Sequence, residues 1–286
     1  MVSIGGVEIN GTFMNAACAV AKTMEDVQKF SKTRAGAILV GSITVESRDG
    51  NVEPRWFVGD GYALNSFGMP NGGLEHYRSV LPEMIKTAHD SGKKLILDIA
   101  GFSTKDYVQL ATMADEVGVD LLELNLGCPN IRVDGEQKPI VSFDRESMIE
   151  IIDAVSSITK IPLILKLSPY SNPAELKAVA ELINNCEKVS AVSTMNTMPN
   201  GYMSKDGVPV ISMTFAGVSG KAIQPIALGQ VKQFRNQLNP GIAVIGVGGI
   251  ESAEDVELFL NAGATAVQAA TLIVRDGHSA LDRLAT

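Results

Sequence analysis

The sequence predicts an α/β fold, a single (β/α)8 TIM barrel spanning residues 1–286. Three observations predict it. The length of 286 residues is close to the usual size of such a barrel and long for an open sheet without a second domain. Short apolar runs alternate with helical patterns from end to end. No composition break, low-complexity tract or short repeat marks a domain boundary. A doubly wound parallel sheet shares the alternation and stays open as the alternative.

The strand candidates are Phe13–Ala17, Ala37–Ile43, Leu95–Ile99, Leu121–Asn125, Leu163–Leu167, Ala191–Met195, Val244–Val247 and Ala266–Ala269. Helical patterns fall at Met24–Thr33, Gly73–Ser91, Lys105–Glu116, Arg145–Ile158, Pro173–Asn185, Ile223–Gln237 and Ala253–Leu260. Two start signals support them. Ser171-Asn172-Pro173 sets a cap residue before a proline suited to the first turn, and Ser252 leads the acidic pair Glu254-Asp255. Asp49–Gly73 and Thr197–Gly220 read as long loops rich in turn residues. Both follow strand candidates, which puts them on the ligand face of a barrel.

Composition narrows the function. Hydrophobic residues make up 45% and charged residues 20%, as in a globular protein with a large core. The net charge is −8 and there is no long basic run, so nucleic-acid binding is not expected. Cys18, Cys128 and Cys186 are odd in number and far apart, against a disulfide framework and too few for an ordinary iron–sulfur cluster. His76, His89 and His278 form no pair at ligand spacing, so no metal is expected. His76, in a helical stretch, reads as a surface or packing residue. The N-terminus lacks a signal-peptide pattern and no apolar run has membrane-spanning length, so a cytoplasmic protein with no membrane partner is expected.

The chemistry concentrates at the C-terminal ends of strand candidates. Leu121–Leu124 leads into Asn125, Gly127, Cys128, Pro129 and Asn130. Two carboxamides can grip the edges of a flat polar ring, and a thiol beside them can carry a proton. Against this stands the common case of an inert cysteine. Lys166 interrupts the apolar run Ile164–Leu167, where a lysine is rarely buried without a partner or a role. It could set a charge beside a cofactor, form a Schiff base, or sit in a buried ion pair. Gly246-Val-Gly-Gly-Ile250 and Ala269-Ala-Thr271 follow the last two strands, where barrels often cradle phosphate; tight turns are the alternative. Asn65, Gly68 and Asn71 in Leu64–Gly73, and Asn196-Thr197 after the sixth strand, add polar groups that could serve a ligand or merely a turn. Cys18 and Cys186 read as structural.

Together the motifs resemble the dihydroorotate dehydrogenase family. The matching stretches are Phe13-Met-Asn-Ala-Ala17, Thr44–Asn51 with Pro54-Arg55, Asn65-Ser-Phe-Gly-Met-Pro-Asn71, Asn125-Leu-Gly-Cys-Pro-Asn130, Lys166-Leu-Ser-Pro169, Asn196-Thr197, Gly217-Val-Ser-Gly220 and Gly246–Glu251. A cysteine in the Asn-x-x-Cys-Pro-Asn element is similar to the cytosolic classes. The resemblance implies FMN at the C-terminal face and a small-molecule dihydropyrimidine substrate, dihydroorotate, oxidised to orotate. Gly248, Gly249, Ala270 and Thr271 would hold the phosphate. Ala17, Ser42, Asn125, Lys166 and Gly220 would line the rest of the cofactor. Asn65, Gly68, Met69, Asn125, Asn130, Asn196 and Thr197 would hold the pyrimidine. Cys128 would remove the C5 proton while C6 gives hydride to flavin N5.

Three positions depart from the family. Its lysine before the serine of the second strand is Gly41 here, a glycine after Asn-Ala-Ala is Cys18, and the serine before the catalytic cysteine is Gly127. Loss of that lysine removes a partner for the orotate carboxylate, and a different cyclic substrate would fit the loss. Of the cytosolic classes, one is a homodimer using fumarate; another uses NAD through a flavin/iron–sulfur partner subunit. The Asn65–Asn71 loop looks more like the first, Met198–Gly220 and Gly248–Asp255 more like the second. Relatives usually continue into a final helix beyond the position of Thr286. Two rival readings are a Schiff-base lyase using Lys166 and a non-catalytic ligand-binding barrel.

Overall fold

The computed structural model describes residues 1–129, 132, 133, 136, 137 and 139–285. Eight parallel strands close into a barrel: β1 (Phe13–Asn15), β2 (Ala37–Ile43), β3 (Lys94–Ile99), β4 (Leu121–Asn125), β5 (Leu163–Lys166), β6 (Val189–Ser193), β7 (Ala243–Val247) and β8 (Ala266–Ala269). They neighbour one another in chain order, and β8 closes on β1 through Val267–Phe13, Gln268–Met14 and Ala269–Asn15. The helices are α1 (Met24–Ser31), α2 (Gly73–Asp90), α3 (Thr104–Val117), α4 (Arg145–Ile158), α5 (Pro173–Asn184), α6 (Gln224–Gln237), α7 (Ala253–Ala262) and α8 (Thr271–Asp276). The expected barrel is the observed one, and no expected strand or helix end moves by more than two residues.

Local chemistry explains the helix starts. The Asn172 side chain accepts from Ala174 N–H at 3.0 Å ahead of Pro173, and Ser252 Oγ accepts from Asp255 N–H at 3.3 Å. Thr23 and Asp26 form a reciprocal capping box at α1.

The strands are buried on both faces, as parallel strands must be. Leu95, Leu97, Leu122, Leu124, Leu163 and Leu165 pack outward with the helices. Ile96, Leu121, Ile164, Ala243 and Ala266 pack inward. The N-terminal hairpin of Val2–Ile4 and Val7–Ile9 adds Ile4 and Ile9 to that inner cluster. Two residues further along five of the strands the inward side chains turn polar: Asp98, Glu123, Lys166, Ser193 and Gln268, all buried. The two-residue period thus sets a polar layer on an apolar one, at the end where the ligand face lies.

The two stretches expected as loops are partly sheet. Trp56–Val58, Ala63–Asn65, Ala216–Ser219 and Met198–Gly201 make a four-stranded antiparallel sheet, with Gly217 opposite Asn65. Strands of three or four residues among Gly and Pro carry little periodic signal, and their pairing is long-range. Among the described residues no helix is long and apolar enough to cross a membrane, and no group of three or more His, Cys, Asp or Glu could hold a metal ion.

Gln230 latches α6 to the ligand face. Its Nε2 donates to the carbonyls of Ser168, at 2.9 Å, and Thr194, and its Oε1 accepts from Tyr170 N–H at 2.9 Å. It is only 2% exposed, so Gln230→Ala leaves three buried backbone groups without partners. The expected cost is about 2–4 kcal/mol by urea denaturation. A loss below about 1 kcal/mol would show that water replaces the latch.

Candidate functional site

A cleft opens at the C-terminal end of the barrel, beside the four-stranded sheet. The exit of β4 supplies Asn125 and Cys128, and the segment after β6 supplies Asn196 and Thr197. Asn65 and the turn after it supply Asn65, Gly68 and Met69. Ala17, Ser42, Lys166 and Gly220 line the same cleft, as do Gly248, Gly249, Ala270 and Thr271 after β7 and β8. Every described residue to which the family resemblance gives a role in catalysis, cofactor or substrate binding therefore lines one cavity. Asn130 lies outside the described residues.

The carboxamides are cross-braced. Asn125 Nδ2 donates to Ser42 Oγ at 2.8 Å, and Asn125 Oδ1 accepts from Asn196 Nδ2 at 3.4 Å. Tyr107 OH donates to the Asn125 carbonyl at 2.8 Å and fixes the exit of β4. Asn196 Oδ1 accepts from Thr197 N–H at 2.8 Å. Asn65 Nδ2 donates to the Gly217 carbonyl at 3.3 Å. Asn71 is different: its Oδ1 accepts from the N–H groups of Thr44 and Gly73, and its Nδ2 donates to Thr44 Oγ1 and the Met69 carbonyl. Its amide shapes the loop instead of facing a ligand.

Two features fit a ligand with an anionic group in this cleft. The buried Thr197 Oγ1 has no hydrogen-bond partner among the described residues, an orphan that a ligand would satisfy. Gly248 and Gly249 have φ of +123° and +73°, and a Cβ on Gly249 would sit 2.9 Å from the Gly220 carbonyl oxygen. Bare backbone is required there, and bare backbone lets N–H groups approach an anion.

Below the cleft runs the polar layer. Lys166 Nζ donates to Gln268 Oε1 at 3.3 Å, Ser193 Oγ donates to the same atom at 3.0 Å, and Gln268 Nε2 donates to Glu123 Oε2 at 2.8 Å. Lys166 is thus held by an amide, and no ion pair holds it among the described residues. Asp98 lies opposite Glu123 across β3 and β4, and neither of its oxygens has a hydrogen-bond partner among the described residues. Burial, and then the Glu123 carboxylate beside it, hold the Asp98 carboxyl well above the usual carboxylate range.

The sequence reading missed Asp98, Glu123 and Gln268, although each interrupts an apolar strand as Lys166 does. It also missed Lys22, whose buried ammonium lines the cleft from the segment between β1 and α1. Cys18 lines the cleft as well, but burial pushes its thiol up to about 11, so it stays protonated near neutral pH. Burial also raises the Cys186 thiol. Cys128 is half-buried and in no disulfide.

Comparison with known proteins extends the geometry. The family model described as dihydroorotate dehydrogenase matches residues 1–286. A protein of Lachancea kluyveri named dihydroorotate dehydrogenase (fumarate) is 34% identical over 277 residues, covering 95% of this chain and 86% of that one. A protein of Trypanosoma cruzi with the same name is 36% identical over 281 residues, with the same coverage of each chain. The crystal structure of DHODH from Eimeria tenella in complex with ferulenol superposes on 99% of this chain and 81% of that chain, with a TM-score of 0.82 at 21% identity, a likeness of fold.

The Asp98 environment sets a pH dependence. A carboxyl whose folded value is raised gives stability that is fully present below about pH 4 and is lost as pH rises through the folded value. Asp98→Asn keeps the shape and removes the titration. The variant's melting temperature relative to the parent should therefore be higher at pH 8 than at pH 5, by about 2–4 °C for each kcal/mol of lost stability. A difference that stays flat across that range would show that Asp98 is already ionised in the folded protein at pH 5.

Proposed function

The chain belongs to the dihydroorotate dehydrogenase family, flavin-dependent oxidoreductases acting on a CH–CH bond, and from that premise we propose that it uses FMN to oxidise (S)-dihydroorotate to orotate in de novo pyrimidine biosynthesis, with fumarate as the final electron acceptor. One observation carries the site assignment. Asn125, braced by Ser42 and Asn196, shares a cleft with Cys128 and with the unpartnered Thr197 hydroxyl. An imide-like ring offers alternating donors and acceptors, which is what carboxamides and a hydroxyl recognise.

The chain's own residues then divide the work. Asn65, Asn125, Asn196 and Thr197, with Gly68 and Met69, orient the ring, and the family resemblance adds Asn130. Cys128 is the base that takes the C5 proton. When bound, FMN supplies the acceptor for the C6 hydride. Gly248, Gly249, Ala270 and Thr271 would hold its phosphate; Ala17, Ser42, Asn125 and Gly220 would line the remainder. Lys166 would set a positive charge in the cofactor's part of the cleft, where it would favour a reduced, anionic flavin. Its tether to Gln268 supports that role over a nucleophile offered to a carbonyl.

We read residues 1–286 as one FMN-binding barrel domain, cytoplasmic and homodimeric. The exposed Tyr202, Val208 and Phe215 in the segment between β6 and α6 support a subunit contact. The fumarate names of the relatives favour reoxidation without a flavin/iron–sulfur subunit.

Anaerobic dihydroorotate should bleach the flavin spectrum of the purified, FMN-loaded protein, and fumarate should restore it. Cys128→Ala should retain flavin and bleach about 10²–10⁴ times more slowly. A loaded protein whose spectrum dihydroorotate leaves unchanged would sink the proposed activity; equal bleaching rates would remove only the role of Cys128.

A further inference from the structure

Lys22 is a lysine buried to 9% exposure in the wall of the ligand cleft. Its Nζ donates to the Pro70 carbonyl at 2.6 Å and to the Ser42 carbonyl at 3.4 Å. An ammonium has three N–H donors, so these carbonyls leave one, and no carboxylate pairs with it among the described residues. A buried cation without a counter-ion is costly unless something brings the opposite charge. Burial pushes Lys22 down to about 8. It therefore remains mainly cationic at neutral pH, waiting on an anion.

The position where the family resemblance implies a lysine, Gly41 here, is closed to any side chain. Gly41 has φ of +144°, and a Cβ there would sit 2.4 Å from the Asp98 carbonyl oxygen and 2.8 Å from Asp98 Cβ. No side chain fits without moving the β3 backbone. Lys22 reaches the neighbouring Ser42 carbonyl out of the segment between β1 and α1. Its contact with Pro70 also ties it to the turn that carries Gly68 and Met69.

We propose that Lys22 receives the carboxylate of a carboxylated dihydropyrimidine, and so selects the acid over its neutral analogues. This rests on the reading of the cleft as a dihydroorotate site. The loss of a charge at Gly41 is then a relocation of the charge, not a change of substrate class.

The test is equilibrium binding to the FMN-loaded protein, read from the flavin spectrum, with orotate and with its neutral amide, orotamide. The parent should bind orotate much more tightly than orotamide. Lys22→Met should weaken orotate about 10- to 150-fold and orotamide by less than about 3-fold, with flavin content unchanged. Lys22→Gln, which keeps a donor for the Pro70 carbonyl, gives the same reading if the Met variant folds poorly. Unchanged orotate affinity in the variants, or equal loss for both ligands, overturns the role of Lys22 while leaving the parent's orotate binding intact. A loaded parent that binds no orotate overturns the dihydroorotate reading and this proposal together.

Discussion

Each barrel strand is buried on both faces, so its two-residue period sorts side chains between the interior and the helix shell. Everything at the ligand face depends on that sorting. The interior holds an apolar layer that includes Ile96, Leu121 and Ile164, and above it Asp98, Glu123 and Lys166, two positions further on in the same strands. A slip of one residue in β3, β4 or β5 would send those charges into the leucine-rich shell. Packing of the lower layer thus fixes the register, and the register fixes the floor of the cleft. Gln268 completes the floor by joining Lys166, Ser193 and Glu123 from β8.

The floor also balances charge. Lys166 and Lys22 are buried cations, while Asp98 is held toward its protonated form. The cleft therefore suits anionic ligands despite the chain's formal charge of −8. Net charge describes the whole surface, whereas binding answers to the few charges that water cannot screen.

Much of this was legible in the sequence. Apolar runs such as Leu121–Leu124 and Leu163–Leu165 read as buried parallel strands because burial on both faces leaves few polar positions in them. Asn125, Cys128, Asn196 and Thr197 were legible because chemistry in such folds sits where strands end. Asp98, Glu123 and Gln268 gave the same signal as Lys166, a polar residue inside an apolar run, and were not taken up. Lys22 gave no signal. It lies in an irregular segment without periodicity, and its partner Pro70 is 48 residues away. Gly41 showed only a missing charge; the reason, a carbonyl too near for any Cβ, exists only in three dimensions.

The small sheet beside the cleft has a dynamic consequence. One wall is built from residues 56–65 and 198–219, segments far apart in the chain whose ends are anchored on different barrel strands. Their register sets Asn65 opposite Gly217 and Ala63 opposite Ser219. Neither segment can lift away without breaking the ladder they share, so amide exchange across both should proceed as one cooperative unit. A molecule that immobilises Asn65 therefore also stiffens Ser219 on the opposite strand.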